Sequence, residues 1–217
     1  MHQQVTDVIA PTSENGHADS RIPRWLKIAW TAWLLVWAPV YWRQYGAQNF
    51  LYFCDLGNFL IALGLWAESR LIFSWQAVGL LVFQTFYSID LLGAFLFGKH
   101  MIGGTEYMFD LRVPITVRLL GLYHLMVPPL LLWAVRRLGY DRSAWKWQTL
   151  TTCVLVPVNY SWRPEYNVNW ARGIGHEQHV MPGWLYLVGY LVVAPLFVYW
   201  PTHWALRAWN QRRSVSY

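Results

Sequence analysis

Between Asn49 and Trp66 the chain reads N-F-L-Y-F-C-D-L-G-N-F-L-I-A-L-G-L-W, apolar and long enough to cross a lipid bilayer. Cys54, Asp55 and Asn58 fall within its first three turns. An ionisable side chain at the centre of a membrane helix costs ~2.5–3.5 kcal/mol, less near the interface, so it normally has a partner or a task. Cys54 and Asn58 are four residues apart, and Asp55 and Asn58 three, so a helix gathers all three on one face. That face belongs inside a bundle of helices.

Five further apolar runs supply such a bundle, over residues 28–42, 71–97, 113–135, 147–162 and 184–204. The composition agrees: 56% of the 217 residues are hydrophobic and only 13% charged, where a soluble domain carries about 25% charge. The expected fold is therefore all-α, an integral membrane six-helix bundle over residues 24–209. A polar tail at residues 1–23 and a short one at 210–217 flank it. The Pro128-Pro129 pair should kink the fourth span. The first apolar run starts too far from the N-terminus and is too Trp-rich for a cleaved signal peptide. Cys54 and Cys153 both lie within spans, which argues against a disulfide framework.

Six spans put both termini on one side. That side collects Arg21, Arg24, Lys27, Arg70, Arg136, Arg137, Arg142, Lys146, Arg207, Arg212 and Arg213. The other side has Arg43, Lys99, Arg112, Arg163 and Arg172. Basic residues mark cytoplasmic loops, so both termini are expected to be cytoplasmic, in a bacterial inner (plasma) membrane. The net charge of +6 then reflects topology rather than nucleic-acid binding, and the expected partners are membrane lipids.

Placed at about 1.5 Å per residue, Cys54, Asp55, Asn58, Asp90, Arg118 and His124 all fall in the outer half of the bilayer. Each has a plain structural reading. Cys54 suits a small buried apolar site, His124 a helix–helix hydrogen bond, and Arg118 with Asp55 or Asp90 a buried ion pair that fixes register. Their conjunction at one depth exceeds what packing requires. A cavity roofed by the polar segment 163–182 is the simplest arrangement, with the N-V-N-W stretch (Asn167 to Trp170) ordering that loop through Asx turns.

A thiol beside an imidazole is a nucleophile for acyl transfer through a thioester. On this reading Cys54 attacks an ester and His124 carries the proton. Asp55 or Asp90 orients the imidazole, as the third member of a triad does. Arg118, with Asn58, binds the head group of a lipid substrate. The competing chemistry is a zinc site drawn from His100, His176 and His179 with Asp55, Asp90 and His124 below them, but His176 and His179 lack the usual second ligand pair, so no metal and no cofactor is expected. The competing function is non-enzymatic: a small-solute transporter or lipid-binding protein with a buried Arg–Asp pair.

F-C-D-L-G-N in the second span, I-D-L at residues 89–91 and Y-H-L-M-V-P in the fourth span together resemble the YwaF-type integral membrane family, itself similar to the androgen-induced six-span lipid hydrolases. The resemblance covers roughly residues 49–133 and implies a lipid acyl hydrolase or acyltransferase, with Cys54 and His124 at the positions of the catalytic pair. The sequence departs from that pattern in two places. Phe50 to Phe53 stand where Pro and His usually precede the Cys, and Ile89 stands where a Pro precedes the Asp.

Overall fold

The apolar runs form helices whose ends are set by local chemistry. In a computed structural model describing residues 22–212, the helices are α1 (Arg24–Tyr45), α2 (Phe53–Ala67), α3 (Arg70–Phe97), α4 (Ile115–Gly121), α5 (Tyr123–Leu138), α6 (Ala144–Ser161), α7 (Gly183–Val193) and α8 (Trp200–Gln211). Short 3-10 turns fill several connections, and no strand occurs among the described residues. Ser69 opens α3 by accepting the Ile72 N–H at 3.3 Å. Gly98 closes it at φ +66°, in the left-handed region that a residue with a Cβ resists. Of the expected tails, only Ile22 and Pro23 at one end and residues 210–212 at the other lie within the described residues, and α8 continues through Gln211.

Helices α4 and α5 form one rod, as do α7 and α8, joined by a π turn at Ala194–Tyr199 that contains Pro195. Six helical units therefore occupy the six expected positions. The kink expected at Pro128-Pro129 is not where the fourth rod breaks. Both prolines lie inside α5, and the interruption falls at Leu122 (ψ −9°), ahead of the carbonyls those prolines leave without N–H partners.

Three units, Arg70–Phe97, Ile115–Leu138 and Gly183–Gln211, are long and apolar enough to cross a membrane. Their large apolar side chains stay open on the outside of the bundle, with Phe95 and Phe197 at 74% and 72% exposure. A continuous apolar exterior of this kind suits lipid rather than water.

Helix α3 is the centre. It packs against α2, α5 and α6 and touches α8. Phe73, Ala77, Val78 and Leu81 meet Trp37, Ile61, Leu65, Leu131 and Val135 in the core. Gly79 lets the Gln148 side chain of α6 lie directly on α3, where a Cβ would come within 2.4 Å of it.

Contacts pin the two ends of the bundle. At one, Lys27 of α1 pairs with Glu68 beyond α2 at 2.7 Å, Arg70 with Asp141 at 3.3 Å, and Tyr140 with His203 Nδ1 at 2.7 Å. This end holds both described chain ends. At the opposite end, segment 163–182 folds back on the start of α2, placing the polar residues of α2 beneath it.

Candidate functional site

Asp55 is the centre of the site. It sits in the first turn of α2, where the positive end of the helix dipole favours a carboxylate, and it is buried. Its Oδ1 accepts the Tyr123 hydroxyl at 2.7 Å, and its Oδ2 accepts the Asn49 amide. Half-buried Cys54 lies against the same Asp55–Tyr123 pair. None of the salt bridges among the described residues includes Asp55.

The start of α2 is fixed from far along the chain. Asn169 accepts the Phe53 N–H at 2.9 Å and donates to the Leu51 carbonyl at 2.7 Å. Asn159 donates to that same carbonyl at 3.4 Å. Asn167 orders the segment itself, accepting from the Arg172 N–H and donating to the Gly173 carbonyl. The expected ordering role of the N-V-N-W stretch thus divides: Asn167 shapes its loop and Asn169 caps a distant helix.

His124 is buried beside the site but faces other partners. Its ring lies 4.0 Å from that of Tyr123 and 4.1 Å from that of Tyr87. Its Nδ1 meets Gln84 Oε1 at 2.7 Å. An amide oxygen only accepts, so Nδ1 is the donor in this bond. No hydrogen bond joins Cys54 to His124 among the described residues. Tyr123 holds the place on Asp55 that the sequence reading gave to the histidine, because consecutive helical residues point about 100° apart.

Asp90 stands apart from this group. Its Oδ1 accepts the Ile102 and Gly103 N–H groups at 2.7 and 2.9 Å. Its Oδ2 meets His100 Nδ1 at 3.0 Å and the Thr105 hydroxyl. The carboxylate therefore folds the 98–112 loop back onto α3 instead of orienting His124. That loop carries Tyr107, whose hydroxyl meets that of Tyr87 at 2.6 Å, over the histidine.

Arg118 pairs with neither Asp55 nor Asp90. It donates from Nη1 to the Met108 carbonyl at 3.4 Å, and its buried Nε has no partner. Asn58 is fully buried with both side-chain polar atoms unpartnered, one turn below Asp55. Such orphaned groups mark places where a small polar molecule fits.

An apolar groove of about 670 Å³ runs alongside, lined by Ala38, Pro39 and Trp42 of α1, by Phe50, and by Leu56 and Phe59 of α2. Leu56 directly follows Asp55, so the groove and the polar site share a turn of helix. A separate polar cleft beneath Tyr160 holds Arg172, paired with Glu177 at 2.7 Å, together with His179. No three His, Cys, Asp or Glu side chains gather as a metal site among the described residues.

Sequence reasoning missed Tyr123, Gln84, Tyr87 and Asn49. Tyr123 carried a usable signal, since it immediately precedes a histidine inside an apolar run. Compared with known proteins, the chain matches no family model, no curated protein and no solved structure.

Proposed function

We propose that the chain is a six-span membrane protein, with both termini cytoplasmic, that binds a lipid and transfers or hydrolyses its acyl group in the outer half of the bilayer. The topology is supported by the excess of Lys and Arg at the bundle end holding the described chain ends. The observation that carries the chemistry is the Cys54–Asp55–Tyr123 group, which shares a turn of α2 with an apolar groove. An acyl chain lies in the groove, and its ester reaches the thiol.

Cys54 Sγ attacks the ester carbonyl while its proton passes to the Asp55 carboxylate, and the hydrogen bond from Tyr123 steadies that carboxylate. The alcohol leaves with the proton from Asp55. Water, or the hydroxyl of an acceptor lipid, then cleaves the Cys54 thioester. Arg118, with its free Nε, meets the phosphate or carboxylate of the head group. His124 acts through Tyr123, whose ring it supports.

The lack of a Cys54–His124 hydrogen bond among the described residues favours a second reading, in which the groove binds lipid without chemistry. Labelling of detergent-purified protein by a long-chain activated acyl ester separates the two. The enzyme reading expects labelling in the parent chain and in Cys153→Ala, and loss of label in Cys54→Ala and Asp55→Asn. Equal labelling of all variants, or none in the parent, leaves lipid binding alone.

A further inference from the structure

At the opposite end of the bundle, an arginine lies close in sequence to each side of the buried Tyr140–His203 contact. Arg142 follows Tyr140 by two residues in the α5–α6 connection, and Arg207 lies one turn beyond His203 in α8. The Tyr140–His203 hydrogen bond, 2.7 Å long, brings these two segments together.

Aromatic rings surround His203. Trp200 stacks on His203 at 5.7 Å, Trp145 meets Trp200 edge-on at 5.1 Å, and the Arg207 guanidinium lies over Trp204 at 5.3 Å. The nearest carboxylate in sequence is committed elsewhere: Asp141 accepts from the Ser143 N–H and hydroxyl and pairs with Arg70. None of the salt bridges among the described residues includes Arg142, Arg207 or the exposed Lys146, four residues past Arg142. A planar guanidinium accommodates a phosphate through two parallel hydrogen bonds, and two cations on neighbouring segments reinforce that attraction.

We propose that Arg142 and Arg207, on the segments joined at the Tyr140–His203 contact, bind the phosphate of an anionic phospholipid. A lipid is the source because the site opens sideways as well as to water. Trp200 and Trp204 are 42% and 50% exposed on a helix of the apolar exterior, where indole rings hold the level of the head groups. The site is remote from Cys54 and Asp55, so it stands or falls independently of the acyl chemistry.

Binding of phosphatidylglycerol, phosphatidylcholine and inorganic phosphate to the purified full chain in detergent, read by native mass spectrometry and thermal unfolding, tests it. The expected result is selective retention of phosphatidylglycerol, with affinity about tenfold weaker in Arg142→Gln/Arg207→Gln, the factor that about 1.4 kcal/mol produces. Arg163→Gln, at the far end, should leave it unchanged. Equal affinity in the parent and the double variant overturns the site. Phosphate binding as tight as the lipid overturns the lipid as its occupant. Should the double variant misfold, Arg142→Gln alone changes an exposed side chain, and an unchanged affinity there overturns the proposal equally.

Discussion

At the residue scale, a hydrogen bond to a buried acid is easily tested. Tyr123→Phe leaves the Asp55 carboxyl short of a donor, and an unsatisfied buried group costs about 1–3 kcal/mol. A lower thermal midpoint in detergent is expected, and an unchanged midpoint would show that Asn49 alone satisfies the acid. Asp141 makes a pH prediction outside the spans. Burial alone would raise its pKa, but the Ser143 N–H and hydroxyl, followed by Arg70, outweigh this and hold it below the usual carboxylate range. A carboxylate depressed in the folded state stabilises it above the unfolded pKa of about 3.9, and that contribution disappears as pH falls through the folded value. Acid unfolding should therefore depend less on pH in Asp141→Asn; an identical acid limb in both proteins would contradict this. Asp55 and Asn58 were legible in the sequence because a polar group in an apolar run stands out. The partner of Asp55 was not, because an interior tyrosine looks the same whether its hydroxyl reaches an acid or an interface. The ion pair expected for Arg118 failed for a related reason: depth along a helix says nothing of rotation about its axis, and Arg118 turns toward the Met108 carbonyl.

At the element scale, α3 depends on small residues where its neighbours come closest. Gly79→Ala forces the Gln148 side chain off the helix, and overpacking of this kind costs about 1–3 kcal/mol. In a Gln148→Ala background the same substitution should be nearly neutral, a coupling that a double-mutant cycle of unfolding midpoints measures. Additive effects would mean that Gln148 is free to move aside. The helices themselves were largely legible, since long apolar runs bounded by Gly, Pro and basic residues leave few alternatives. The break at Leu122 and the π turn at Ala194–Tyr199 were not legible, because the chain near each proline redistributes lost hydrogen bonds in ways that the proline's position does not fix. Asp90 was read as chemistry and serves instead as the anchor of the 98–112 loop, since two backbone N–H groups compete for it once that loop closes.

For the whole molecule, the proposed topology predicts which surfaces face which compartment. In a Cys153→Ala background, Lys99→Cys should react with a membrane-impermeant maleimide on intact cells, and Lys146→Cys only after permeabilisation. The reverse pattern would invert the bundle. The grip of Asn169 on Leu51 and Phe53 spans 116 residues or more of sequence and has a consequence for biogenesis. A ribosome delivers α2 to the membrane long before it makes Asn169. Until then the first turn of α2 lacks its cap, although Asn49 and Tyr123 already reach the acid at position 55. A nascent chain arrested after α6 should thus insert its earlier helices yet leave this corner open to solvent. On the proposed reading, the site around Cys54 would be completed near the end of translation, when segment 163–182 settles into place, and a partly made chain would carry no competent thiol into the bilayer.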